Sequence, residues 1–367
     1  MTRARDPLPI SLDAALRDAD VLDLKARTLA LTHLGSAYLQ ALGAPDPVWQ
    51  AHARDPRGPD VRAALLRALE RDPATPIRAL AAVGLGQLGA PDLLAALPDE
   101  WFHPEARADD LAYARECAAI AWTLLGLAAR AELPAEPVPA DSPAEPVPED
   151  ISPAPPEPVP EDSPRAALAT ARANLRRGLA GEFPELRFQC AVGLAELDGA
   201  AAEPVLARAL AREREPGVVT ALVTALGELA PPSPATCDAL APLCDGPDAR
   251  TGFAAALALT VARDPRGGPA LMRALRRPED RGRALEALAA LGPLAPPAAL
   301  PVVRGLARGL LTPGLTRVRA AYALARLAPA EGHALLERLK NSWRPTVREA
   351  VADALTALAQ LAARDGA

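Results

Sequence analysis

Aromatic residues make up 3% of this 367-residue chain, and isoleucine occurs only four times. That scarcity of strand-forming side chains excludes a sheet-built fold. The four cysteines, Cys117, Cys190, Cys237 and Cys244, include no Cys-x-x-Cys pair, which argues against a zinc site and favours reduced thiols in a cytoplasmic setting. No uninterrupted apolar run reaches the roughly 18 residues that span a bilayer, so no membrane insertion is expected. Met1 to Ile10 lacks the apolar core of a signal peptide. Lys25 and Lys340 are the only lysines, so positive charge rests almost wholly on arginine.

The signatures of common chemistry are missing too. His33, His52, His103 and His333 are scattered, with none at metal-ligand spacing from another His or Cys. There is no Gly-x-Ser-x-Gly elbow and no phosphate loop ending in Lys-Ser or Lys-Thr. The expectation is a chain without catalytic residues, metal or cofactor.

What is abundant is alanine and leucine, the alphabet of close-packed helices. One pattern recurs: an arginine followed by small or apolar residues at plus 3, 4, 6, 7 and 10, often with Gly or Ala at plus 11. Its copies start at Arg78, Arg115, Arg187, Arg250, Arg281, Arg317 and Arg348, with Val219 in the arginine position of one more. The usual spacing is 31 to 37 residues, and one interval, Arg115 to Arg187, is 72. Apolar residues at 3, 4, 7 and 10 give one face of an α-helix, and Gly89, Gly126 and Gly292 at plus 11 read as C-caps. Shorter helical stretches, bounded by Pro, Gly and Asp, lie between the copies. Each unit is thus two helices and two turns, too small to bury its apolar face alone.

This Arg-x-x-Ala-Ala-x-Ala-Leu-x-x-Leu-Gly pattern resembles the second helix of HEAT repeats, particularly the short bacterial type related to bilin lyases. The resemblance covers residues 60–130 and 165–363, and Leu24 to Gly35 is similar to a degenerate further copy. It implies an all-α, right-handed α-α solenoid of about eight to nine helical hairpins. It also implies that the repeated arginines form a structural ladder, each pairing with an acid at the turn of a neighbouring unit. Glu185 and Asp248 are candidate acids of this kind.

The long interval has a visible cause. Residues 132–164 hold twelve prolines, nine acids, no Lys or Arg, and three copies of Glu-Pro-Val-Pro. Proline at this density prevents helix, and the segment has too little apolar surface to offset its ordering entropy. It is expected to be a disordered loop between an N-terminal block, 1–131, and a C-terminal block, 165–367, of one continuous array. The loop also accounts for the net charge of −6: elsewhere the chain carries 37 acidic and 40 basic residues.

If HEAT geometry holds, the second helices line a concave face at plus 1, plus 5 and plus 9. The N-terminal half then presents Val83, Ile120, Leu124, Phe188 and Val192, an apolar strip where solvated residues are expected. Such strips mark partner sites. The C-terminal half of this face is polar, with Arg326 its one cation. Trp101 and Phe102, the densest aromatic pair, are a second candidate anchor, or else a plug in the seam beside the next helix. Together these features predict a non-catalytic, protein-binding scaffold or adaptor whose partner is another protein or peptide. The alternatives are a HEAT-type enzyme such as a bilin lyase, or a nucleic-acid-binding repeat protein. The near absence of cations on the groove positions speaks against nucleic acid.

Overall fold

Many of the described prolines begin helices rather than breaking them. In the computed structural model, helices starting near Pro59, Pro76, Pro164, Pro204, Pro234, Pro269 and Pro329 carry the proline in their first turn. There the missing N–H has no intrahelical acceptor to lose. The structure describes residues 10–42, 56–90, 93–103, 109–133, 163–229 and 231–365. Among them there is no strand. They fall into two compact units, Met1–Asp198 and Gly199–Ala367.

Unit 1 contains α1 (Leu12–Asp18), α2 (Leu24–Leu42), α3 (Gly58–Arg71), α4 (Thr75–Gln87), the short α5 (Leu93–Ala96), a 3-10 turn at Asp99–Phe102, α6 (Asp109–Ala131), α7 (Pro164–Leu179) and α8 (Pro184–Asp198). α1 pairs with α2, α3 with α4 and α7 with α8, while α2, α4, α6 and α8 stack in sequence. Glycines set how closely they stack. A Cβ on Gly86 of α4 would lie 2.6 Å from the Ala121 carbonyl oxygen of α6. One on Gly193 of α8 would collide with Thr123 of α6.

Unit 2 repeats the arrangement with α9 (Glu203–Leu210), α10 (Pro216–Leu229), α11 (Pro234–Leu240), α12 (Ala249–Val261), α13 (Gly268–Ala274), α14 (Arg281–Leu291), α15 (Ala299–Arg308), α16 (Gly314–Leu327), α17 (Pro329–Leu339) and α18 (Pro345–Asp365). Each odd helix pairs with the even helix after it, and α10, α12, α14, α16 and α18 stack in order. Each unit is therefore the α-α solenoid construction that the repeat predicts. Its core is the Ala/Leu face of the second helices.

The repeated arginine has a regular seat. In the degenerate N-terminal copy the seat is taken by Arg27, three residues after the expected start at Leu24, which donates to the Val21 and Leu22 carbonyls; Arg187 donates to Gly181 and Glu182, Arg281 to Leu275, and Arg348 to Ser342 and Trp343. The acceptors lie five or six residues upstream, in the turn that closes the hairpin. Arg78 and Arg115 do the same over longer loops, donating to Leu69 and Trp101. A cation here satisfies carbonyls that have no intrahelical partner and complements the helix dipole. In unit 1 the same arginines also reach an acid of the next hairpin: Arg27 to Asp72 at 3.0 Å, Arg78 to Glu100 at 2.9 Å, Arg115 to Glu185 at 2.9 Å. Asp248 behaves differently. With Val219 where its arginine would stand, its carboxylate caps α12 through Arg250 N, Thr251 N and the Thr251 hydroxyl.

Three expectations change. Gly89 and Gly292 end their helices at φ of 65° and 56°, but Gly126 lies inside α6, which runs on to Ala131. Gly126 is there for space: a Cβ would lie 2.8 Å from Leu197. Secondly, α7 and α8 pack on α6, so the division falls at Asp198 and not within the insertion. The expected disordered loop at 132–164 lies outside the described residues, except at its edges, where Ser163 caps α7. Thirdly, Leu111–Ala131 is long and apolar enough to cross a membrane by length and composition. Most of it is buried within unit 1 and it carries Arg115, paired with Glu185, which is how a core helix reads.

Candidate functional site

The faces of the stacked second helices are where the two units expose most of their chemistry. In unit 1, Ile120 on α6 is 37% exposed and Phe188 on α8 is 38% exposed, both large apolar side chains facing solvent on adjacent helices. Val83, Leu124 and Val192 are half-buried. Glu116, one turn before Ile120, and Tyr113, two turns before it, border this surface. Partial burial pushes the Tyr113 hydroxyl up to about 12, with Cys117 adding to the shift. Burial, and then the Glu185 carboxylate, raise Glu116 above the usual carboxylate range. The chemistry offered is an apolar strip with an acidic, hydrogen-bonding margin.

Trp101 leaves the set of anchors. Its side chain is 0% exposed, and the Arg78 guanidinium lies 5.8 Å from its ring centroid. A wholly buried ring touches no partner, so Trp101 seals the seam before α6, the plug of the two sequence readings. Phe102 is half-buried and stacks on Trp122, with ring centroids 5.5 Å apart. Phe102, Trp122, Phe183 and Arg177 wall a cavity of about 400 Å³ within unit 1.

In unit 2 the plus 1, 5 and 9 register holds only in part. Thr251, Ala255 and Leu259 of α12 are buried, as is Val318 of α16; Ala79 of α4 in unit 1 is buried too. Thr251 is drawn inward by Asp248 and by the Thr220 hydroxyl at 2.6 Å. α12 instead presents Arg250, Ala254, Leu257 and Val261 to a cavity of about 570 Å³. Thr220, Thr224 and Glu228 of α10 and Arg283 and Glu286 of α14 complete its walls. Glu286 pairs with Arg319 at 3.1 Å. The Arg250 and Glu228 side chains have no ion pair among the described residues, and Arg283 lies 6.0 Å over the Phe253 ring. Arg326, the cation expected on this face, is instead turned to the Ala289 carbonyl. The exposed cations here are Arg250 and Arg283, which the single register concealed.

All four thiols are buried and unpaired. Burial pushes Cys117 and Cys244 up to about 11 and raises Cys190 and Cys237 as well. These are core side chains rather than nucleophiles. Among the described residues no group of three or more His, Cys, Asp or Glu is placed to hold a metal ion.

Comparison with known proteins adds the following. Crystal structures of Kap121p are similar. One, of a mutant, aligns at a TM-score of 0.41 and 14% identity, covering 96% of this chain and 46% of that one. Kap121p itself aligns at 0.41 and 13%, and Kap121p bound to Ste12p at 0.40 and 13%, covering 99% of this chain and 46% of that one. The chain thus spans less than half the length of these structures. No curated protein matches. A family model described as HEAT repeats matches residues 172–260, the stretch from α7 to α12, and it is to HEAT repeats that this stretch is similar.

Proposed function

We propose that this protein is a non-catalytic scaffold that binds a partner protein or peptide through the faces of its second helices, in the cytoplasm. The carrying observation is the pair Ile120 and Phe188, exposed apolar side chains on adjacent helices of a repeat array. Water against that surface costs free energy that a covering partner recovers. Phe188 is 38% exposed, so covering it on binding contributes about 1 kcal/mol. The unit 2 cavity, with Arg250 and Glu228 outside any ion pair among the described residues, is a polar binding surface of its own. The similarity to short bacterial repeats related to bilin lyases enters only as repeat type. A HEAT-type enzyme is the alternative reading, and a nucleic-acid-binding repeat protein is another.

The test is the double variant Ile120→Asp/Phe188→Asp, used as bait in native extract beside the wild type, with captured proteins identified by mass spectrometry. The variant should keep its helical fold with a lowered melting temperature, because both side chains are part-buried and part in water. Partners recovered by wild type should be lost. Retention of every partner by the folded variant would move the binding surface elsewhere, and nanomolar, salt-sensitive binding of duplex DNA would favour the nucleic-acid reading.

A further inference from the structure

Apart from Leu22, the most exposed large apolar side chains among the described residues are on two turns late in unit 2. Leu310 and Leu311, between α15 and α16, are 92% and 99% exposed, and Trp343, between α17 and α18, is 81% exposed. Leu315, in the first turn of α16, is also exposed. The two turns are neighbours: a Cβ on Gly314 would lie 2.8 Å from Val347 Cγ2 and 3.9 Å from the Arg344 guanidinium. Three large apolar groups thus stand on the crests of adjacent loops.

Their setting is basic in a chain that is acidic overall. From Arg304 to Glu349 there are nine Arg or Lys residues and three Glu. Arg308 ends α15 just before Leu310 and pairs with Glu331, while Lys340, paired with Glu337 at the surface, and Arg344 flank Trp343. The Arg344 guanidinium lies 4.9 Å over the Trp343 ring. Neither Arg344 nor Arg348 has an acidic partner among the described residues, and Arg348 holds the turn by donating to Ser342 and Trp343 carbonyls.

We infer that this edge docks on an anionic lipid surface, with Leu310, Leu311 and Trp343 entering the headgroup region and Lys340 and Arg344 engaging lipid phosphates. A protein groove would require a fixed shape opposite each crest. A fluid interface requires only apolar tips with cations beside them, and tryptophan with arginine or lysine is the pairing that such an interface favours. This is peripheral attachment by loops, with α6 left in the core, and it stands independently of the partner-binding proposal.

The experiment is co-sedimentation of the full chain with vesicles of phosphatidylcholine alone and of phosphatidylcholine with phosphatidylglycerol. Binding is expected only to the anionic vesicles, and is expected to fade at about 0.5 M salt, where the screening length falls to about 4 Å. Leu310→Ser/Leu311→Ser should weaken it by about tenfold or more. Lys340→Glu/Arg344→Glu should do likewise, each variant keeping its helical melting curve. Brominated acyl chains should quench a fraction of the tryptophan emission that Trp343→Ser removes. No sedimentation with anionic vesicles overturns the inference, as does undiminished binding by the folded loop variant. A self-association without vesicles that the loop variant abolishes overturns it too, assigning the crests to a second copy of the chain.

Discussion

Arg115 concentrates the architecture in one side chain. It is buried, yet its guanidinium donates to the Trp101 carbonyl at 2.6 Å, meets Glu185 at 2.9 Å and lies 3.4 Å over the Phe183 ring. A charge so enclosed is tolerated only because each of its faces is engaged. Arg115→Ala should strand Glu185 and the carbonyl, lowering the stability of unit 1 by about 3–5 kcal/mol in denaturant titration. Arg115→Lys should recover part of that, since a lysine keeps the charge but not the planar fork. The recurring arginine was legible from sequence as a ladder, because it keeps its place relative to the small residues of each copy. Its carbonyl acceptors were not, because backbone groups leave no mark in a sequence. Trp101 shows the same limit. A Trp-Phe pair reads alike as plug or anchor until burial separates the two rings, with Trp101 sealed in and Phe102 at a cavity wall.

At the scale of helices, glycine has two uses that the repeat does not distinguish. Gly89 and Gly292 adopt positive φ and stop their helices, whereas Gly86 and Gly126 sit where another helix leaves no room for a Cβ. Position in the motif is the same for Gly89 and Gly126. What differs is that α6 continues with Leu127–Ala131, good helix formers, and meets Leu197. Gly86→Ala should therefore destabilise by about 1–3 kcal/mol despite alanine's better propensity, since the obstructing atoms belong to the Ala121 backbone. Gly217, in the first turn of α10, has nothing within 4 Å of its would-be Cβ. Gly217→Ala should stabilise by about 0.4–1 kcal/mol, a change of opposite sign measurable in the same thermal melts. Helix periods and hairpin pairing were legible throughout the matched copies. The rotation of α12 was not, because it depends on Thr251 bonding to Asp248 and Thr220, and that turned Arg250 toward the cavity and Ala255 away from it.

For the molecule as a whole, charge organisation predicts an acid response. Asp248 lies below the usual carboxylate range through hydrogen bonds from Thr251, Asp264 through those from Arg266, and Glu331 through those from Arg304. Each has a depressed folded value, so its stabilisation is present above the unfolded value and lost as pH falls through the folded one. Helicity melts should be flat from about pH 8 to 5 and drop below about pH 4. Asp248→Asn and Glu331→Gln should flatten that drop. Glu116 has the opposite sign, its value being raised by burial, and so opposes the decline slightly in unit 1.

The clamps from Arg27, Arg187, Arg281 and Arg348 to the turns of their own hairpins have one more implication, for ancestry. A bond closed within five or six residues travels intact with the segment that encodes it. A hairpin of about 31 residues clamped in this way can then be copied or deleted in tandem with its turn intact, and what must be remade is the arginine–acid contact to its neighbour, such as Arg115 to Glu185 in unit 1 or Arg304 to Glu331 in unit 2. Lineages of this chain should accordingly differ in hairpin number by whole repeats, each change keeping the arginine clamp of the hairpins that carry one.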